Sequence, residues 1–113
     1  MVTRSNYSKY RSMWLLAMFD LPVKTKTNRK RYARFRKLLL VEGFTMLQFS
    51  VYARHFSSEE SADAIRRNIE NQIPENGQVR ILPVTDRQFA KMDVFYGKKR
   101  CKSERPAEQY LLF

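Results

Sequence analysis

Residues 13–37 read MWLLAMFDLPVKTKTNRKRYARFRK, and they decide the fold. Met13 to Asp20 is an apolar run that ends on one carboxylate. It is continuous enough for a central strand and too short for most helices. Leu21-Pro22 then turns the chain, because proline has no N–H with which to extend a ladder. The next stretch is strongly cationic: eight Lys or Arg lie between Lys24 and Lys37, with no Asp or Glu among them. A buried strand that delivers a lone acid to its tip, beside a cationic helix, points to a protein that holds phosphates, with a metal ion as a further expectation.

A strand this apolar needs cover on both faces. The spacing predicts a helix over about 28–41, capped by Thr27 or Asn28 and stopped at Gly43. At about 100° per residue, Tyr32, Phe35, Leu38 and Leu39 share one side, and Lys30, Arg34 and Lys37 cluster opposite. A basic row is often only a solvated helix face, but such faces mix their signs and this one has no acid. Residues 44–56, FTMLQFSVYARHF, suit a long second strand with Leu47, Phe49, Val51 and Ala53 on one side. A second helix is expected from near Ser58, with Ser57 and Glu60 at capping-box spacing and Ala62, Ile65, Ile69 and Ile73 as its core stripe. Pro74 stops it, and Asn76-Gly77 makes a turn.

Val79 to Val84 reads as a third strand. Thr85 and Gln88 cap a single helical turn that carries Phe89 and Met92 inward, and Asp93 to Tyr96 is a short fourth strand. The class is α+β, a ferredoxin-like β-α-β-β-α-β order with an antiparallel sheet. Residues 1–12 form a polar arm, 13–97 the domain, and 98–113 a basic linker and a C-terminal strand. The apolar end Tyr110-Leu111-Leu112-Phe113 suits docking, either on its own chain or on a second protomer.

The chain has 113 residues, with 22 Lys plus Arg against 11 Asp plus Glu, a net +11. That suits one small domain with a polyanionic partner. No apolar run approaches the ~20 residues that span a bilayer, and no secretory leader is evident, so no membrane association and a cytoplasmic location are expected. Cys101 has no partner at disulfide or zinc spacing, and His55 reads as a strand-end surface residue. No Ser-His-Asp or Cys-His arrangement is evident. Three glycines cannot build a phosphate-cradling loop. The RNA-recognition sheet motif is absent as well, since neither VRILPV nor DVFYG matches it.

Three readings of Asp20 stand side by side: a metal- or phosphate-site residue, a turn residue before Leu21-Pro22, and an ion-pair partner of the basic helix. One carboxylate makes a poor magnesium site. A two-fold dimer with the first strand near its axis would bring two copies of Asp20 together. Along the helix Lys24, Lys26, Arg29, Lys30, Arg34 and Lys37 are the candidate phosphate contacts.

MWLLAMFDLP, RKRYARFRKLLLVEGF, MLQFSVYAR and VRILPVTDRQFAKM together resemble the CRISPR-associated protein two family, over roughly residues 13–97. GFTMLQFSVY is most similar to members found with single-effector RNA-guided nucleases. The resemblance implies a ferredoxin-like homodimer whose C-terminal strand crosses to the partner's sheet. It implies two integrase dimers bound at its ends as a heterohexamer, and a scaffold role on double-stranded DNA during spacer acquisition. It maps the family's metal-ligand and catalytic carboxylate onto Asp20, so that magnesium would be shared between two copies across the dimer. Members of the family are also described as magnesium-dependent endoribonucleases, and some cut double-stranded DNA, so single-stranded RNA is a further expected partner. The polar arm departs from the compact family start. The alternative is a metal-dependent, toxin-like ribonuclease or an RNA-binding domain outside CRISPR systems.

Overall fold

The computed structural model describes residues 11–105. Its elements are β1 (Met13–Asp20), α1 (Lys26–Val41), β2 (Thr45–Gln48), β3 (Val51–Phe56), α2 (Glu59–Glu70), β4 (Gln78–Thr85), α3 (Asp86–Ala90), β5 (Val94–Tyr96) and β6 (Lys99–Cys101). The first four strands form one sheet of order β2-β3-β1-β4, and every pairing in it is antiparallel. The architecture is therefore the α+β, β-α-β-β-α-β arrangement expected, followed by a small two-stranded hairpin of β5 and β6. The polar arm up to Tyr10 and the apolar end Tyr110 to Phe113, with its expected strand exchange, lie outside the described residues.

Strand alternation divides β1 between two environments. Met13, Leu15, Ala17 and Phe19 are buried against Phe35 and Leu39 of α1 and Ala62 and Ile69 of α2. Trp14 faces the other way and packs with Ala53 and Phe89; the Trp14 and Phe89 rings stack at 3.8 Å between centroids. The short α3 that brings Phe89 there has the expected capping box. Thr85 Oγ1 accepts from the Gln88 N–H at 3.1 Å, and Gln88 Oε1 accepts from the Thr85 N–H at 2.8 Å. This second face is covered at one end only, so Leu16 and Met18 remain half-exposed and Leu82 is exposed.

Several local expectations change. Residues 44–56 are not one strand: Phe49-Ser50 folds them into the β2–β3 hairpin, which supplies the strand that β-α-β-β-α-β requires. Ser50 adopts φ 63 there, and its carbonyl accepts from the Phe19 N–H at 3.1 Å. The turn throws Phe49 out of the alternation while Val51 and Ala53 keep theirs. α1 starts at Lys26 under a Thr25 cap, because Arg29 reaches back to the carbonyls of Val23 and Lys24 and fixes the loop. α2 is capped by Ser58, not Ser57, and ends at Glu70, which leaves Ile73 beyond the helix and exposed. Lys99–Cys101, expected as linker, is a strand paired with β5.

His55 is not a surface residue. It is buried with Nε2 3.4 Å from Asp86 Oδ1, the oxygen that also accepts from Trp14 Nε1 at 2.8 Å. Among the described residues no helix is long and apolar enough to cross a membrane.

Candidate nucleic-acid interface

Asp20 closes β1 opposite Gln78 of β4. By alternation it shares a side with Trp14, Leu16 and Met18, the side away from α1 and α2. The registers put Gln78, Arg80 and Leu82 of β4 on that side too. Asp20 is exposed in a shallow recess with Met18, Ser50, Gln78 and Arg80. Among the described residues its carboxylate has no hydrogen bond or ion pair, so the ion-pair reading with the basic helix is not supported.

The backbone behind Asp20 is tightly fitted. Gly77 has φ +98, and a Cβ there would lie 2.7 Å from the Asp20 carbonyl oxygen and 2.7 Å from a Leu21 methyl. Only glycine closes the β4 entry this near to β1 without strain. As a ligand set, the recess offers one carboxylate among the described residues, Asp20. Among the described residues no group of three or more His, Cys, Asp or Glu could hold a metal ion. The hard oxygen donor suits magnesium, but the donor count of one chain does not.

Of the candidate cations, Lys24, Lys26, Arg29, Lys30, Arg34 and Lys37 are all exposed. Arg29 is partly committed to structure, since its guanidinium donates to the Val23 carbonyl at 3.1 Å and the Lys24 carbonyl at 3.2 Å. The others make no ion pair among the described residues. Their placement runs against helix electrostatics. The N-terminal end of a helix carries partial positive charge and favours acids, yet α1 has no acid in its first turn. Lys24, Lys26 and Lys30 crowd that end. The arrangement therefore concentrates positive potential where an external anion would be received.

The sequence reading missed three residues near this surface. Arg36 is exposed on α1, Arg80 is exposed on β4, and Phe49 is exposed at the hairpin tip. Arg36 belongs to the same basic run and could have been included with it. Arg80 becomes relevant only once the β1–β4 register sets it near Asp20.

The family model "CRISPR associated protein Cas2" matches residues 13–92. A protein of Flavobacterium psychrophilum named "CRISPR-associated endoribonuclease Cas2" is 45% identical over 111 residues, covering 98% of this chain and 95% of the relative. A protein of the same name from Parvibaculum lavamentivorans is 48% identical over 101 residues, covering 89% of this chain and 100% of the relative. The alignment to the Flavobacterium protein runs through nearly the whole chain, so the polar arm is not peculiar to it. In three dimensions the chain is similar to a solved structure titled "Crystal structure of cas2", with TM-score 0.54, 20% identity, and coverage of 75% of this chain and 88% of that one; this likeness speaks to the fold. Matched over most of its length by the family model and by close relatives, the chain belongs to the Cas2 family of CRISPR-associated proteins.

Proposed function

We propose that this chain is a homodimeric scaffold that binds double-stranded DNA without reading its sequence and bridges CRISPR-associated integrase dimers during spacer acquisition. The observation that carries the reading is α1: its exposed cations make no ion pair among the described residues, and they begin in the first turn, where the helix dipole disfavours them. Contacts from such side chains to phosphates position a duplex but carry no base information. A protein that must accept any foreign sequence needs this property.

The open sheet face supports the dimer. Leu16, Met18 and Leu82 leave apolar surface beside Asp20, and a two-fold axis through that face would cover the apolar side chains and bring two Asp20 carboxylates together. Sedimentation of the chain with a blunt duplex tests this reading. Two chains per duplex are expected, and a single chain per duplex at saturation contradicts it.

A second activity, metal-dependent endonuclease action on RNA or DNA, is favoured by the Asp20 carboxylate, which has no partner among the described residues, and by the relatives' names. Asp20 of each protomer would hold magnesium, which when bound polarises a phosphodiester and acidifies a bound water. The remaining residues bind and orient: α1 holds phosphates, and Gly77 fixes the backbone behind Asp20. Asp20→Asn should abolish cleavage and leave duplex binding intact. An Asp20→Asn protein that cleaves like the wild type would refute the assignment. Family membership weighs against a toxin-like ribonuclease outside CRISPR systems.

A further inference from the structure

The β2–β3 hairpin tip carries an aromatic that the core does not use. Phe49 is 79% exposed, yet its position is fixed. Ser50 beside it takes φ 63, a left-handed backbone that is uncommon for any residue but glycine. The Ser50 carbonyl is bonded to the Phe19 N–H at 3.1 Å, and its hydroxyl lies 3.3 Å from the Tyr32 hydroxyl. The Phe49 ring stands over Tyr32, 6.3 Å between centroids and 22° between planes. Exposing a phenylalanine on a backbone this constrained costs stability and calls for a use.

Its surroundings say which one. Arg36 lies about one helical turn beyond Tyr32 and is exposed. Arg80 and Asp20 share the adjoining recess with Phe49. An exposed ring beside an arginine is the chemistry of a base-stacking platform, which tolerates any sequence because every base has a π face. Bases inside a duplex already stack on one another, so only an unpaired base can use the ring.

We infer that Phe49 stacks an unpaired nucleobase and so positions a single strand with its phosphodiester beside Asp20. This rests on the endonuclease reading of Asp20 and names a positioning residue for it. The test needs neither metal nor turnover. Single-stranded DNA and RNA probes of about 12 nucleotides, each with a central 2-aminopurine, are titrated against wild type, Phe49→Ala, Phe49→Tyr and Asp20→Asn, with a blunt duplex as control.

The expected result is a fluorescence change on binding of one or both single strands. Phe49→Ala should lose it, with affinity about 5-fold or more weaker. Phe49→Tyr and Asp20→Asn should keep it, and duplex affinity should stay within about twofold. Whichever probe responds identifies the sugar preferred. Single-strand binding unchanged in Phe49→Ala overturns the inference. So does a Phe49→Ala protein that sediments as a monomer and loses both kinds of probe equally, which would make Phe49 a protomer contact. A wild type that binds duplex but neither single strand also overturns it and leaves the scaffold standing. If cleavage by wild type survives Asp20→Asn while Phe49 still stacks the probe, the nuclease assignment fails and only the stacking site remains.

Discussion

α1 and α2 lie on the same face of one sheet and share one core, yet their charges are arranged in opposite ways. α2 has Glu59 and Glu60 in its first turn and Arg67 in its last. Arg66 bridges Asp63 and Glu70, each at 3.3 Å. Every one of these placements favours the helix. α1 has no acid in its first turn and no base in its last, and its cations start at Lys26, in the turn where the dipole disfavours them. Phe35 and Leu39 bury it all the same. Hydrophobic contact therefore holds both helices, and only α2 uses its charge for folding. On the proposed function, the charge of α1 is left for the phosphates of a bound duplex.

The largest expected effect separates the two helices by binding. Reversing Lys30, Arg34 and Lys37 to Glu should lower duplex affinity similarly for all sequences and reduce the salt slope by about 3 units, measured by fluorescence anisotropy. Reversing Arg66 and Arg67 on α2 should leave affinity within a few-fold. An equal loss from both sets of changes would erase the distinction and reduce α1 to a solvated face.

Next come changes at which the helices should agree. Phe35→Ala and Ile69→Ala each remove a fully buried side chain, and chemical denaturation should show losses of about 3–5 and 2–5 kcal/mol. Gly77→Ala should cost about 1–3 kcal/mol, because φ +98 and the Asp20 carbonyl oppose a Cβ.

The smallest effects carry the sharpest signs. Lys26→Glu at the start of α1 should raise stability by about 0.3–1 kcal/mol while weakening duplex binding. Glu59→Lys at the start of α2 should lower stability by about the same amount with no loss of binding. Thermal melts at low salt distinguish the two, and a destabilised Lys26→Glu protein would contradict the proposed tension between folding and binding.

Much of this was legible from the chain. The apolar run 13–20, the alternation of apolar residues along both helices, and the Thr85–Gln88 cap are local patterns, and local patterns survive into the fold. The Phe49-Ser50 turn was not legible, because neither residue is Gly, Asn or Pro. Its left-handed Ser50 is held by Phe19 and Tyr32, partners distant in sequence. His55 looked like a surface residue because Trp14 and Asp86, which surround it, are remote along the chain. β6 was hidden by its composition: Lys99 and Arg100 read as linker, and only pairing with Val94–Tyr96 makes them a strand. At the candidate site, Asp20 and the α1 cations could be named from sequence. Arg80 and Gly77 required the β1–β4 register.

The central proposal is that the cations of α1 meet phosphates. It is tested most directly by the dissociation constant of a blunt, sequence-scrambled duplex as a function of salt. If about 6–10 phosphates are engaged, a plot of log affinity against log salt should fall with a slope of roughly −5 to −9, a loss of ~10³–10⁵ between 50 and 200 mM. A slope near zero, or one unchanged when Lys30, Arg34 and Lys37 are reversed, would contradict the account.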